Sequence, residues 1–118
     1  MTAAAFRRIA LGMQGAVERA HMAHPDFRVG GRIFATLRGD GLHGMVTVPL
    51  EHQARFVRDF PGVFAPESGA WGRAGSTRVV LKQAKEDTVG EAMTLAWQHA
   101  VAKGPTRTKP ARPKQPAR

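Results

Sequence analysis

The sequence predicts one α+β domain, in which helices gather mainly on one side of an antiparallel sheet, followed by a basic extension. Three observations carry this expectation. Helical periodicity frames the chain at both ends, and β-prone runs punctuated by glycine lie between. Alternating βα units are absent, which argues against a Rossmann or other doubly wound nucleotide-binding fold.

The elements follow in order. Phe6, Ile9, Ala10, Met13, Val17 and Ala20 recur at spacings of three and four, with Arg7, Arg8 and Glu18 off that face. This predicts an amphipathic first helix whose middle and later part Gly12 and Gly15 weaken. His24-Pro25 cannot continue it, because proline disfavours helical geometry at the preceding residue, so an extended segment follows. Asp26 to Val29, Gly30-Gly31 and Arg32 to Arg38 read as a hairpin around a turn that needs positive φ. Gly39-Asp40-Gly41 makes the next turn, and Gly44 to Val48 is a third strand ended by Pro49. Leu50, Ala54, Val57 and Phe60 mark a short second helix closed by Pro61-Gly62.

Residues 63–75 are rich in glycine and proline and read as irregular, with Trp71 requiring something to pack against. Thr77 to Lys82 alternates as a strand. The last helix follows its repeat through Val89, Ala92, Met93, Ala96, Trp97, Ala100 and Val101. Thr88 and Glu91 have capping-box spacing, and Gly104-Pro105 stops the helix. The order is helix, three strands, helix, one or two strands, helix.

At 118 residues and 42% hydrophobic content, the chain suits one core. The absence of cysteine removes disulfides and thiolate chemistry and suits a reducing compartment, so a cytoplasmic location is expected. No run approaches the length of a membrane span, and the N-terminus does not read as a signal peptide. The net charge of +9 is uneven. Lys103, Arg107, Lys109, Arg112, Lys114 and Arg118 supply six of the nine charges, leaving residues 1–102 with twelve Lys and Arg against nine Asp and Glu. Residues 1–103 are therefore expected to form the domain. Residues 104–118, with prolines spaced among cations, are expected to be an extended arm that cannot bury enough apolar surface to order itself.

Catalytic chemistry finds little support. Glu18, His21, His24 and Asp26 approach a metal-ligand cluster, but Pro25 prevents a shared helical face, so neither a metal nor a cofactor is expected. Ser68 and Ser76 lie in no nucleophile-elbow pattern. Glu86 and Asp87 open the last helix, where its dipole favours negative charge. Glycine-rich segments at 39–41 and 69–75 lack phosphate-loop context, although Arg73 stands where an anion would meet it. More suggestive are the strand rows. Asp26 and Arg28 share one side, Arg32, Thr36 and Arg38 one face of the next strand, and Arg78 and Lys82 another row. If both rows lie on the solvent face, Arg28, Arg32, Arg38, Arg78 and Lys82 form a footprint for a phosphate backbone. An ordinary solvated face with its arginines neutralised by acids remains the alternative.

The run His24-Pro25-Asp26-Phe27-Arg28-Val29-Gly30-Gly31-Arg32-Ile33-Phe34-Ala35-Thr36-Leu37, followed by Trp71-Gly72-Arg73 and the Thr77 to Leu81 strand, resembles the MmcQ/YjbR-like family of small bacterial proteins. The resemblance covers roughly residues 3–102, and Trp97 resembles that family's closing helix. Ser76 stands where members often carry an aromatic. The resemblance implies the order α-β-β-β-α-β-β-α, similar to secretion chaperones and the frataxin-like fold. It also implies the DNA-binding label commonly given to members, and it brings no catalytic residues. Of the family-like positions, Gly30 and Gly31 set a turn, Phe27 and Trp71 fill core or groove, and Arg28, Arg32 and Arg73 suit an anion.

Two functions from different classes follow. One is a non-enzymatic DNA-binding protein using Arg28, Arg32, Arg38, Arg73, Arg78 and Lys82, together with Arg107, Lys109, Arg112 and Lys114 of the extension. Its binding would be salt-sensitive and largely indifferent to sequence. The other is a chaperone-like module that binds another protein, or a small anion-binding domain centred on Trp71 and Arg73.

Overall fold

Thr2 opens the first helix, α1 (Ala3–Leu11), its hydroxyl accepting the Ala5 N–H at 3.1 Å. The helix is shorter than its periodicity predicts. It stops at Gly12, and Gly15 at φ 75° turns the chain into a strand, β1 (Val17–His21), where a helical continuation was expected. Val17 and Ala20 keep helical spacing, but two glycines in four residues make that helix costly while β2 offers β1 a complete ladder. The computed structural model describes residues 1–21 and 24–105.

Strand β2 (His24–Val29) returns antiparallel to β1, from His21 opposite His24 to Val17 opposite Arg28. Gly30 and Gly31, at φ 59° and 81°, form the expected hairpin turn into β3 (Arg32–Leu37). Asp40 then shapes the connection to β4 (His43–Thr47), accepting the N–H groups of Leu42 and His43 at 2.8 and 3.2 Å. Helix α2 (Leu50–Asp59) follows Pro49. The stretch expected to be irregular holds two short elements, β5 (Phe64–Pro66) and α3 (Gly69–Arg73). Strand β6 (Ser76–Val80) passes into a 3-10 turn at Leu81–Gln83, so Lys82 lies beyond the strand once expected to include it. Helix α4 (Glu86–Lys103) starts too early for the anticipated capping box: Lys85 is its N-cap, without a side-chain bond, and Thr88 lies inside the helix.

These strands form one sheet in the order β1-β2-β3-β4-β6-β5, antiparallel throughout. Helices α1 and α4 pack on one face of it. Phe27, Ala35, Val46 and Thr77 lie in register on that face, as do Leu37, Gly44, Val79 and Phe64 on the neighbouring row. All are buried, and together with Phe6, Val89, Met93 and Ala96 of the helices they make the core. Phe6 sits so close over Gly44 that a Cβ there would lie 2.6 Å from the ring. Phe56 of α2 closes the far end against Phe64, with ring centroids 4.9 Å apart. At the near end, Trp97 of α4 donates its indole N–H to Gln14 O at 2.9 Å, tying the turn after α1 to the last helix.

One irregularity decides what the other face carries. Phe27 pairs with Ala35 but Arg28 with Ile33, so Phe34 is an extra residue in β3, a β-bulge. Phe34 and Ala35 are buried in succession, while Ile33 and Thr36 point away from the helices.

Candidate functional site

The sheet face away from α1 and α4 carries, in register, Asp26, Thr36, Met45, Arg78 and Ala65, flanked by Arg28 paired with Ile33. Two concave regions border it.

The first is a groove of about 350 Å³. Ile33 and Met45 supply its apolar wall, Thr36, Ser68 and Ser76 its hydroxyls, and Trp71 of α3 its rim. Each carboxylate in it is already matched. Asp26, only 1% exposed, accepts two bonds from Arg28 at 2.8 and 3.1 Å, and Glu67 accepts from Arg38 at 2.6 Å. Hydrogen bonding to Asp26 pushes the Arg28 pKa further up, against a smaller opposing effect of burial. Of the two places expected for Trp71, core or groove, the structure gives it the groove. It is 74% exposed, the most exposed of the large apolar side chains among the described residues.

The second region is a corner of about 280 Å³ where the β2–β3 hairpin meets the end of α4, lined by Arg28, Arg32, Thr47, His99 and Lys103 among others. No carboxylate lines it among the described residues. Arg32 donates through Nε to Gly104 O at 2.6 Å, while Lys103 has no acidic partner among the described residues. Burial, and then the positive charge of Lys103, push the His99 pKa down. The chain leaves the domain here: Pro105 Cα lies 3.4 Å from where a Cβ on Gly30 would stand.

The five-cation footprint expected on one face does not form. Arg28 and Arg78 share the open face, but the bulge shifts the phase of β3, so Arg32 turns to the end of α4 while Thr36 keeps the open side. Arg38 leaves the strand and pairs with Glu67, and Lys82 sits in the 3-10 turn. Arg73, in the last turn of α3, is exposed and has no acidic partner among the described residues. Arg107, Lys109, Arg112 and Lys114 lie outside the described residues, as does the expected disorder beyond Pro105. Glu18 of the candidate metal cluster is engaged by Arg7 and Asp26 by Arg28, while His24 accepts the Gly39 N–H at 3.0 Å. No group of three metal-ligating side chains occurs among the described residues.

His99 and Lys103 were missed by sequence reasoning. Their i, i+4 spacing places them on one helix face, but only the fold brings that face to Arg28 and Arg32. No helix among the described residues is long and apolar enough to cross a membrane.

Comparison with known proteins bears on the fold. The model of the YjbR family matches residues 11–99. The crystal structure of Deinococcus radiodurans protein DR2400, of the DUF419 domain, superposes with a TM-score of 0.71. The match has 19% sequence identity and covers 86% of this chain and 79% of that one. At such identity it speaks for the architecture alone. No curated protein matches the chain.

Proposed function

This chain belongs to the YjbR family, and we propose that it is a non-enzymatic DNA-binding protein holding the phosphate backbone at the corner between the β2–β3 hairpin and α4. The observation that carries this reading is the lining of that corner: Arg32 and Lys103 meet there without a carboxylate on the lining, beside His99 and the Asp26-bound Arg28, at the point where the chain enters its basic extension. Arg107, Lys109, Arg112 and Lys114 follow within eleven residues of Lys103 with no acid between them, so the sequence continues the positive charge of the corner. Arg73, Arg78 and Lys82 lack acidic partners among the described residues and add a general field, whereas Arg38 is occupied by Glu67 and Arg28 by Asp26.

The test is fluorescence anisotropy with a labelled duplex at low and moderate salt. It compares the full chain, a chain ending at Pro105 that keeps the Gly104 carbonyl, and the full chain carrying Arg32→Gln and Lys103→Gln. Each phosphate neutralised contributes about 0.9 to the slope of log K against log salt. The full chain should show the steepest slope. The shortened chain should bind weakly, and the double variant should lose about two phosphates' worth of slope. No binding by the full chain at low salt overturns the proposal. Undiminished binding by the double variant removes the corner from it.

A further inference from the structure

The groove on the open face does not take part in that reading, and its chemistry is of another kind. Both of its carboxylates are matched by arginines within the protein, Asp26 by Arg28 and Glu67 by Arg38. A charged ligand would have to displace one of these pairs, so the groove suits an uncharged occupant.

Trp71 is presented to it on an anchored backbone. Gln53 of α2, itself buried, donates through Nε2 to Gly72 O at 3.0 Å and so ties α3 to α2. Gly72 lies so tightly on the preceding segment that a Cβ there would stand 1.8 Å from Glu67 O. The residue before it is therefore held in place while its indole remains in solvent, with no partner for its N–H among the described residues. An exposed indole on a tethered backbone at the rim of a cavity is a stacking surface, and the tether lowers the backbone part of the ordering cost of binding.

Ser76 supplies the second observation. It is 5% exposed and lines the groove, and its hydroxyl has no hydrogen-bond partner among the described residues. Lining the groove without a protein partner among the described residues, that hydroxyl is free to bond a ligand heteroatom. The cavity, at about 350 Å³, lies at the lower end of small-molecule sites.

We propose that this groove binds a small, uncharged, planar nitrogen heterocycle, which stacks on Trp71 and shares a hydrogen bond with the Ser76 hydroxyl while Ile33 and Met45 cover its edge. The probe is benzimidazole, uncharged in mildly alkaline buffer, titrated into the full chain and followed by 1H–15N NMR. The Trp71 indole N–H should shift, whereas that of Trp97, bonded to Gln14 O, should stay still and serves as an internal reference. A fragment of this size should bind with a Kd on the order of 1 mM. Trp71→Ala should weaken it at least roughly tenfold and Ser76→Ala roughly fivefold. The thermal midpoint of each variant reports whether it has folded, and Trp71→Ala, which removes an exposed side chain, should leave it unchanged.

Benzoate and cyclohexanol test charge and planarity. Binding by either that equals benzimidazole's overturns the assignment, as do an unmoved Trp71 signal and an unchanged affinity in Trp71→Ala. DNA binding is measured separately, on the Arg32→Gln and Lys103→Gln chain, whose altered residues line the corner and not the groove, so failure of one proposal leaves the other standing.

Discussion

Replacing Gln53 tests how far one buried amide organises the molecule. Its Nε2 donates to Gly72 O, Ser76 O and Thr77 Oγ1 at 3.0 to 3.1 Å, two N–H groups shared among three acceptors. In Gln53→Ala none of these acceptors is orphaned. Gly72 O still receives the Gly75 N–H at 3.1 Å and Ser76 O the Glu67 N–H at 2.9 Å, while the Thr77 hydroxyl donates to Gly75 O. The loss is then about two hydrogen bonds at about 1 kcal/mol each, with about 1 kcal/mol more for the space left behind. A cost of about 3 kcal/mol lowers the melting temperature by about 12 °C in a domain of this size.

Gln53→Glu sharpens the test because it keeps the shape and changes the protons. As a neutral acid it can donate one bond; as a carboxylate it faces acceptors only. The folded state therefore raises its pKa above the unfolded value near 4.3. Stability is retained below that value and falls as pH rises, by about 1.4 kcal/mol per unit until the folded pKa is reached. Urea unfolding of both variants and the parent between about pH 4 and 8 measures it. A Gln53→Glu deficit that does not grow with pH, or a Gln53→Ala deficit below about 1 kcal/mol, refutes the reasoning.

Other predictions concern glycine and histidine. Gly90 lies within α4 with nothing within 4 Å of its missing Cβ, so Gly90→Ala should stabilise the chain by about 0.5 to 1 kcal/mol in denaturant unfolding. Gly44→Ala should instead cost about 1 to 3 kcal/mol, because its methyl meets the buried Phe6 ring. His99 has a depressed pKa, so its neutral form favours the fold above the ordinary imidazole value, and that contribution is lost as pH falls through about 6.5. His99→Gln should flatten the decline in melting temperature between about pH 7.5 and 5.5; an unaltered decline contradicts the assigned cause.

Much of the architecture was legible in the chain because it rests on local chemistry. Gly30-Gly31 had one plausible use, a tight hairpin turn, and it has that use. The repeat from Val89 to Ala100 belongs to a helix facing the core, while Val101, read as part of it, is exposed. The errors arise where local pattern competes with a distant partner. Val17 and Ala20 keep the period of α1, and only the ladder with β2 makes them a strand. Phe34 adds one residue to β3, and alternation counted across it assigns Arg32 to the wrong side. The ion pair between Arg38 and Glu67 spans 29 positions, and nothing in either segment announces it. For Trp71 the sequence left core and groove open, and only α3 decides between them by placing the side chain at the groove rim.

The borders of the sheet have a consequence of their own. A six-stranded sheet ends in two rows of unpaired backbone groups, and such rows invite pairing with another chain. Here one border is β1, a five-residue strand whose middle carries Glu18 and Arg19, with Glu18 held by Arg7 at 3.0 Å. The other is β5, three residues long and closed by Pro66, which has no N–H to offer. Each border is short, and each carries a residue that penalises an incoming strand. A destabilised variant of this protein should therefore aggregate through its exposed core strands β3 and β4, and masking either outer strand should do little to prevent it.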